Sequence, residues 1–441
     1  MQFRKTLLAV AAVASVFTAG YAVAQQEQYV GLPSYRVGPF GANGAALYGG
    51  WIDYMAMINE RDGGVNGVKL TWEECETEYN NARGVECYER MKNRGPTGNS
   101  TFQPVSTGIT YSVLDRVAED KIPMVTIGYG RTDAADGTVF PWVFPMISTY
   151  WNQASAIMNY LGQKEGGMEN LKGKKIGLLY HDSAYGAESH AVMDRLAEMH
   201  GFSVLKIAVA SPGNEQQAQW LQIRRERPDY VILWGWGVMN PTAIRTAQRT
   251  GYPVDKIVGV WWSGAEEDVV PVGDAAKGYT AAGFNPAGTG FGVIQDIMSH
   301  VYAKNRGNMS DQSRVGSVLY NRGVVHGIIY VEAIRTAQEK FGTGRPMTGE
   351  EMRWGFENLN IDEARLVALG ADGFMPNLQI TCEDHEGSGL LKFQQWDGEK
   401  WNVVSDWISG DRDLVRGMIQ ESAAAYAAEK GITPRDCSKE S

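Results

Sequence analysis

Residues 227–268 read RPDYVILWGWGVMNPTAIRTAQRTGYPVDKIVGVWWSGAEED, and this stretch decides the fold. Residues 230–233 and 257–260 are apolar runs of the length expected for buried strands. Residues 240–251 between them have the pattern of a helix, with Asn240 as the cap and a proline in the first turn. A strand, a helix and a strand in this order form a βαβ unit, whose strands pair in parallel. The stretch therefore predicts an α/β fold.

Tryptophan follows both predicted strands. Trp234 and Trp236 come directly after the first strand, and Trp261 and Trp262 come after the second. Ligands bind beyond the carboxyl ends of the strands in an open parallel sheet, which is where these four side chains are expected. A single tryptophan is more often part of a core. Four of them at two equivalent strand ends predict a ligand pocket.

The composition is that of a globular protein with room for two domains. The chain has 441 residues, of which 44% are hydrophobic, and a formal net charge of -10. This length is sufficient for two cores of ordinary size. Nucleic acids and anionic membrane surfaces attract clustered lysine and arginine, and the sequence has no such cluster. We therefore expect neither of them as a partner.

The N-terminus has the pattern of an export signal. Arg4 and Lys5 precede the apolar residues 6–20, and a small-residue cleavage site ends at Ala24. The pattern predicts a signal peptide over residues 1–24 that is cleaved on export to a bacterial periplasm. Because the apolar run is too short for a comfortable anchor, we expect no direct membrane insertion of the mature protein.

Four cysteines in a chain predicted to be exported favour disulfide bonds over free thiols. Three pairings are possible. We favour Cys75 with Cys87, which joins a strand end to the following helix, and Cys382 with Cys437, which ties down the C-terminal tail. No C-x-x-C pair is present and no histidine lies at ligand spacing, so we expect no metal.

The usual catalytic and cofactor motifs are missing from the sequence. The six histidines are scattered, and there is no G-x-S-x-G nucleophile elbow. The glycine-rich residues 38–44 lack the spacing of a dinucleotide-binding loop. We therefore expect a binding protein without a cofactor, and not an enzyme.

Strands and helices alternate along most of the chain. The alternation starts at residue 29, is interrupted near residues 145–150 and then resumes, which predicts two doubly wound α/β lobes. Near the C-terminus the pattern becomes strand-like, with a hairpin around Asp397 and Gly398, and a helix follows over residues 412–430.

Hydroxyl side chains stand at the start of one predicted helix in the first lobe. Ser106 and Thr107 precede the helical residues 109–119. Free backbone N–H groups at a helix N-terminus favour a carboxylate ligand. The same hydroxyls also serve as ordinary caps, so both interpretations stay open.

The order of these elements resembles the periplasmic solute-binding proteins of the branched-chain amino acid (Leu/Ile/Val-binding) type, which serve ABC importers. The resemblance covers residues 29–404. It rests on the order and spacing of short motifs, which are Gly38-Pro39-Phe40, Gly63-Gly64-Val65-Asn66-Gly67, Ser106-Thr107-Gly108, His181-Asp182 with Tyr185-Gly186, and the tryptophan-bearing strand ends.

The resemblance implies a type I periplasmic binding fold, in which two Rossmann-like lobes with parallel sheets are joined by three crossovers and close on a ligand. The N-terminal lobe would comprise residues 25–147 and 283–365, and the C-terminal lobe and tail residues 148–282 and 366–441. It also implies a monomer that delivers a small solute to an inner-membrane ABC permease. A disulfide early in the first lobe of the family agrees with the first cysteine pair.

Carried over onto this sequence, the family's ligand-binding residues fall at the predicted strand ends. The hydroxyl cluster and the next strand end are implied to hold a ligand carboxylate in the first lobe, and the second lobe supplies a tyrosine and an aromatic residue. The carried-over residues are Ser106, Thr107, Gly128, Tyr129, Tyr185 and Trp236. With residues in and before the first glycine-rich loop and the other strand-end tryptophans, which the sequence pattern itself suggests, the predicted ligand-binding set is Tyr35, Arg36, Phe40, Ser106, Thr107, Gly128, Tyr129, Tyr185, Trp234, Trp236, Trp261 and Trp262.

One departure from the family bears on the ligand. Amino-acid binders of this type place an acidic residue after the strand that corresponds to residues 257–260, where it pairs with the ligand ammonium. This chain has Trp261-Trp262-Ser263 at that place. Unless Glu266 or Glu267 reaches the cleft, a bound ammonium would stay unpaired at a cost of several kcal/mol.

The aromatic wall predicts a small hydrophobic or aromatic carboxylate as the ligand. Arg36, Arg131 or the helix start at Ser106 would receive the carboxylate. A quaternary ammonium in a tryptophan cage, a branched-chain amino acid and an amide or urea-type solute are the alternatives. The ligand-sensing module of a receptor is an alternative of a different class.

Overall fold

The computed structural model describes residues 26–440 and contains two α/β lobes. The predicted signal peptide, residues 1–24, lies outside the described residues. Between residues 26 and 440, none of the helices combines the length and the apolar character that a membrane crossing requires.

The strands are short and mostly buried. In chain order they are β1 (Glu27–Leu32), β2 (Lys69–Glu74), β3 (Met124–Val125), β4 (Val143–Phe144), β5 (Lys175–His181), β6 (Ser203–Val209), β7 (Tyr230–Trp234), β8 (Ile257–Gly259), β9 (Thr280–Gly283), β10 (Asn360–Ile361), β11 (Leu378–Gln379), β12 (Leu390–Trp396), β13 (Trp401–Val403) and β14 (Ile408–Ser409).

The α-helices connect and cover the strands. In chain order they are α1 (Gly41–Asp62), α2 (Asn81–Met91), α3 (Thr107–Glu119), α4 (Tyr150–Lys164), α5 (Ala184–Ala187), α6 (Ser189–His200), α7 (Gln217–Glu226), α8 (Met239–Thr250), α9 (Glu266–Val269), α10 (Gly292–His300), α11 (Val318–Phe341), α12 (Gly349–Glu357), α13 (Glu363–Ala368) and α14 (Arg412–Lys430).

The βαβ unit predicted from residues 227–268 is confirmed as β7, α8 and β8. The two strands pair in parallel, with Val231 opposite Ile257 and Leu233 opposite Gly259. They occupy the middle of the second-lobe sheet, whose strand order is β13-β12-β9-β8-β7-β5-β6. Their carboxyl ends therefore open at the same edge of the sheet, which carries the four tryptophans.

The predicted cap of α8 is wrong. The helix begins at Met239, and the residue before it makes no side-chain cap. Asn240 is buried in the first turn instead, where its amide donates to the carbonyl of Trp262 (3.1 Å) and to the carboxylate of Asp268 (2.9 Å). This side chain joins two loops at the sheet edge, and such a long-range contact leaves no local signal in the sequence.

The first lobe is built on a parallel sheet of its own. Strand β1 pairs with β2 on one side, and on the other side Ser100 N donates to the carbonyl of Tyr29 (3.3 Å). A bridge at Phe102 continues the sheet to β3 and β4. Helices α1 and α11 of this lobe pack closely against each other, because a Cβ at Gly323 would lie 1.9 Å from the carbonyl oxygen of Leu47.

The predicted hairpin near the C-terminus is confirmed. Strand β12 pairs antiparallel with both β9 and β13, with Trp396 opposite Trp401 across the turn at Asp397 and Gly398. The hairpin therefore forms an antiparallel edge on the otherwise parallel second-lobe sheet. Helix α14 has the bounds predicted from the sequence.

The chain beyond β14 returns to the first lobe. The ring of Tyr426 on α14 lies 4.9 Å from that of Phe140. In the tail, Arg435 N donates to the carbonyl of Thr138 (2.8 Å), and its guanidinium pairs with Glu357 of α12 (2.5 Å). The lobe boundaries drawn from the sequence stay a prediction.

Both favoured cysteine pairs are confirmed as disulfides. Cys75 and Cys87 join the end of β2 to α2, with their Cα atoms 5.7 Å apart. Cys382 and Cys437 join the tail to the segment after β11, with their Cα atoms 5.8 Å apart. The first disulfide holds a loop at the cleft side of the first lobe, and the second fixes the C-terminal tail.

Candidate functional site

A small cavity lies between the two lobes, where the strand ends of both sheets meet. Eight side chains enclose a narrow space that has room for about one water molecule. The eight residues are Tyr79, Val105, Thr107, Tyr129, Tyr150, Tyr185, Trp236 and Trp262. Thr107, Tyr129, Tyr185, Trp236 and Trp262 are members of the predicted ligand-binding set.

Aromatic rings form most of the cavity wall, and they contact one another edge to face. The ring of Trp262 lies 5.2 Å from that of Trp236 and 5.9 Å from that of Tyr129, with interplanar angles of 85° and 75°. Tyr150 and Tyr185 lie 5.2 Å apart. Edge-to-face packing fixes the ring positions while the lobes are in contact, so the wall is then a continuous aromatic surface.

The hydroxyl groups of the wall lie in hydrogen bonds that orient the rings. Tyr129 OH accepts from the backbone N–H of Val105 (2.8 Å), and Tyr185 OH donates to a second-lobe carbonyl (3.0 Å). Tyr150 OH lies 3.0 Å from the hydroxyl of Thr107. Burial raises the pKa of these three phenols well above the usual value, so all three are neutral at physiological pH.

The carbonyl of Gly128 in the first lobe receives donors from the second lobe. It accepts from the indole N–H groups of Trp262 (2.9 Å) and Trp261 (3.2 Å), and from Nε2 of Gln153 (2.9 Å). Gly128 has a φ of 67°, and a Cβ at this position would lie 1.2 Å from the ring of Trp261. Only glycine fits here. The lobes are therefore in direct contact beside the cavity.

Two sources of N–H groups at the cavity are candidates to donate to a ligand. The indole Nε1 of Trp236 is buried and finds no acceptor within residues 26–440. Helix α3 begins at Thr107, behind its cap Ser106, so its first backbone N–H groups have no partner in the helix. A buried donor without a partner favours a ligand that supplies an acceptor atom.

Charged side chains stay outside the cavity. Among residues 26–440, none contributes to its wall. Glu266 accepts from the backbone N–H of Val318 (2.9 Å), and Glu267 pairs with Arg314, so neither reaches the position of a ligand ammonium. An ammonium group in the cavity would therefore lack a counter-charge.

The structure does not place the two candidate arginines at the cavity. Arg36 forms a two-point ion pair with Glu74, with distances of 2.6 and 3.0 Å. Arg131 forms a similar pair with Asp133, with distances of 2.5 and 2.8 Å. In both cases a neighbouring carboxylate already accepts hydrogen bonds from two nitrogens of the guanidinium group. Neither group is free to receive a ligand carboxylate.

The other members of the predicted set lie behind the wall and support it. They are Tyr35, Phe40, Ser106, Gly128, Trp234 and Trp261. The rings of Phe40 and Tyr35 lie 4.4 and 4.9 Å from that of Tyr79. The ring of Trp234 lies 5.7 Å from that of Tyr150. These residues orient the lining side chains but do not face the cavity themselves.

The residues around this cleft lie within the match to a known family. The family described as periplasmic binding protein matches residues 27–400, which is most of the chain. The chain belongs to the periplasmic binding protein family. The resemblance stated from the sequence is thereby confirmed, as is the type I fold with two Rossmann-like lobes. Proteins of this family bind solutes and are not enzymes.

Solved structures show the same relationship. This binding protein is 50% identical to a protein of the Pseudomonas fluorescens group described as an ABC transporter permease; the match covers 94% of this chain and 100% of the other, with a TM-score of 0.87. It is 22% identical to a branched-chain amino acid ABC transporter protein from Thermus thermophilus with bound valine, covering 89% and 99% of the two chains, with a TM-score of 0.74.

A third structure is a solute-binding protein from R. palustris in complex with benzoate. It is 15% identical to this binding protein, and the match covers 86% of this chain and 95% of the other, with a TM-score of 0.66. At this identity the likeness shows the fold alone. No curated protein matches the sequence.

Three lining residues of this binding protein are not in the set predicted from the sequence. Tyr79 lies in the loop after β2 with a φ of 59°, and Val105 precedes α3 with a φ of 46°. Tyr150 begins α4, where the chain enters the second lobe. The rule that ligands bind at carboxyl ends of strands, applied to β2 as well, would have pointed to Tyr79. No local pattern marks the other two.

Among residues 26–440, one group of side chains comes close enough to suggest a metal site. It comprises Glu357, Cys382 and Glu440. The sulfur of Cys382 is bonded to Cys437, so it cannot act as a thiolate ligand. Glu357 and Glu440 also pair with Arg435, which accounts for their charges.

Proposed function

We propose that the protein is the substrate-binding protein of an ABC transporter, which captures a small hydrophobic or aromatic carboxylate between its lobes and delivers it to an inner-membrane permease. The family and the relatives described as ABC transporter proteins support the transport role. The R. palustris relative with benzoate is an example of this ligand class on this fold. Export to the periplasm through a cleaved signal peptide and a monomeric state remain part of the proposal.

The observation that carries the ligand class is the aromatic cavity without a charged lining residue. Six of its eight residues are tyrosine or tryptophan. Such a wall contacts a planar or apolar body over most of its surface. The cavity has room for about one water molecule, so the lobes must move apart to admit a ligand, and a compact molecule requires the smallest movement. A benzoate-type acid has both properties.

The free donors favour an anionic group at one end of this molecule. The indole N–H of Trp236 has no acceptor within residues 26–440, and the N-terminus of α3 adds backbone N–H groups and the positive end of its dipole. A carboxylate accepts from several such donors at once. This arrangement supports an acid over a neutral hydrocarbon.

A cationic ligand is disfavoured by the surroundings of Trp262. The guanidinium of Arg322 is buried and lies 4.8 Å from the centre of the Trp262 ring. A ring that already contacts one cation is a poor partner for a second, because the two positive charges repel each other through it. An amino acid is disfavoured for the reason given above, since no lining carboxylate would pair with its ammonium.

A ligand panel tests the proposal. Tryptophan fluorescence and titration calorimetry with benzoate, phenylacetate and a phenylpropanoid acid should give quenching and saturable heat. Leucine, choline and urea represent the amino acid, quaternary ammonium and amide alternatives. Trp354→Phe serves as the control variant, since this indole lies away from the cavity beside Phe341. Saturable binding of leucine with silence across the acids would refute the ligand class.

The receptor alternative is separated from transport by a reconstitution experiment. The ligand-loaded protein should stimulate ATP hydrolysis by a membrane complex of permease and ATPase subunits encoded beside its gene. Stimulation of a neighbouring sensor kinase, without any effect on ATP hydrolysis by such a complex, would identify the protein as a sensing module.

A further inference from the structure

Glu188 connects the second lobe to the first without lining the cavity. It lies directly before α6, and its backbone carbonyl is held within the second lobe by the indole of Trp151 (2.8 Å). Its carboxylate points to the first lobe, where it accepts from the hydroxyl (2.7 Å) and the backbone N–H (3.2 Å) of Thr132. The phenol of Tyr111 on α3 donates to the other carboxylate oxygen. All three donors belong to the first lobe.

Glu266 makes a second connection of the same kind. It lies in α9, immediately after the tryptophans at the end of β8. Its carboxylate accepts from the backbone N–H of Val318, the first residue of α11 in the first lobe (2.9 Å). The adjacent Glu267 pairs with Arg314, which precedes the same helix. A second-lobe carboxylate is thus docked on first-lobe donors here too.

We propose that Glu188 and Glu266 are positioning residues for ligand binding, which hold the cleft closed through their first-lobe donors and make closure dependent on pH. Neither residue is part of the cavity wall, so each acts through the position of the lobes and not through contact with the solute. The inference rests on the proposed binding function but not on the identity of the ligand.

The charges around Glu188 determine how it responds to pH. Burial raises the pKa of its carboxyl group to about 7, and the nearby Asp133 adds to this effect, while the hydrogen bonds from Tyr111 and Thr132 oppose it. Tyr150 of α4 is a further titratable neighbour, and burial raises the pKa of its phenol, which stays protonated. Arg131, which lies 5.9 Å from the ring of Tyr111, is paired with Asp133.

The surroundings of Glu266 have the same effect. Burial and the neighbouring Glu267 raise the pKa of its carboxyl group to about 7, against the hydrogen bond from Val318 and the charge of Arg314. Asp268 has a pKa raised to about 8 by burial, and Arg322 is the other buried charge facing this group. The two connections therefore titrate in the same range.

The sign of the pH effect follows from the direction of these shifts. When the lobes separate, each carboxyl returns to water and to its ordinary pKa of 4.5. Closing then takes up a proton wherever the pH lies between that value and about 7. Ligand affinity should fall as the pH rises through this window, by at most about tenfold per pH unit for each carboxyl, and should be constant above it.

The test uses two kinds of variant. One kind keeps the side-chain hydrogen bonds between the lobes but cannot ionise, and the other loses these hydrogen bonds. Glu188→Gln and Glu266→Gln keep the shape of the side chain but cannot ionise, so they should flatten the pH profile. Glu188→Ala removes the connection and should weaken closure at pH 5 as well. Glu198→Gln on the same helix α6 is the matched control, since that side chain is 77% exposed.

Two readouts keep this inference separate from the ligand assignment. Small-angle scattering of the ligand-free full chain should show a smaller radius of gyration at pH 5 than at pH 8 for the wild type and the control, and no change for the double glutamine variant. Benzoate titrations at the same pH values should give a higher affinity at pH 5 than at pH 8 for the wild type and the control. The affinity of the double glutamine variant should be the same at both pH values.

The outcomes distinguish the two proposals. A pH-dependent scattering change that is absent from the double variant supports the inference, even if benzoate fails to bind. Failure of benzoate to bind would then contradict only the proposed ligand class. Benzoate binding with a pH-independent affinity, or an unchanged pH response in the double variant, would overturn the inference while the binding function stands.

Discussion

Gly128→Ala should block closure of the cleft while leaving both lobes folded. The added Cβ would lie 1.2 Å from the indole of Trp261 when the lobes are closed. Carbon atoms need about 3.5 to 4 Å, so the ring would have to move by roughly 2 Å. It is held in place by Phe284, 4.6 Å away, and by Arg322, which donates to its backbone carbonyl (2.9 Å).

The expected loss of affinity follows from this overlap. Overpacking of this severity costs about 3 kcal/mol or more, which is more than about a hundredfold in Kd. Separated lobes escape the overlap, so the unfolding free energy should fall only by about 1 kcal/mol, because alanine is strained at a φ of 67°. Titration calorimetry with the acid that the wild type binds best measures the loss of affinity, and urea denaturation measures the fall in unfolding free energy.

Gly130→Ala is the matched control for this experiment. Gly130 also has a positive φ of 92°, but the nearest atoms to a Cβ there belong to Thr110 and Thr126 of the first lobe, each at 3.2 Å. It should therefore show the strain without the loss of binding. Wild-type affinity in Gly128→Ala would refute the reasoning that Trp261 docks on this backbone when ligand is held. Equal losses of affinity in both variants would also refute it.

Three further outcomes are expected. Trp236→Phe keeps a six-membered aromatic ring but removes the pyrrole ring with its N–H, so the free energy of binding a benzoate-type acid should weaken by about 1 to 3 kcal/mol with only a small change in Tm. Unchanged affinity in calorimetry would show that the ligand does not use this donor. Serine at both Cys75 and Cys87 should lower the unfolding free energy in urea by about 2 to 4 kcal/mol. Serine at Cys382 and Cys437 should cost about 1 kcal/mol more, because this disulfide closes 55 residues and the first closes 12; equal losses would contradict the loop-closure account.

The fold was predictable because its signals are local and repeated. Alternating apolar runs and helical patterns mark the strands and helices of both lobes, and the βαβ unit at residues 230–259 is paired as expected. The tryptophan pairs indicated the correct sheet edge. The sequence did not predict which of the four tryptophans line the cavity. Trp236 and Trp262 line it, while Trp234 and Trp261 lie behind it.

The parts that escaped prediction depend on contacts between distant segments. Arg36 is occupied by Glu74, which comes from the neighbouring strand β2, and the sequence does not show this pairing. Asn240 resembles a cap but bonds to a loop beyond the next strand. Tyr150 belongs to the segment that passes between the lobes, and its place in the wall follows only from how the lobes meet. Long-range pairing decides each of these positions.

The return of the tail to the first lobe has a practical consequence for anyone building a fluorescent sensor from this protein. Strand β1 belongs to the first-lobe sheet, and Arg435 near the other end is fixed to Thr138 and Glu357 on the same lobe. Dyes or fluorescent proteins fused to the two ends would both move with the first lobe, so the energy transfer between them would not change when the cleft closes. A responsive sensor needs one reporter at an end and the other inserted into an exposed second-lobe turn, such as the one at Gly251 after α8.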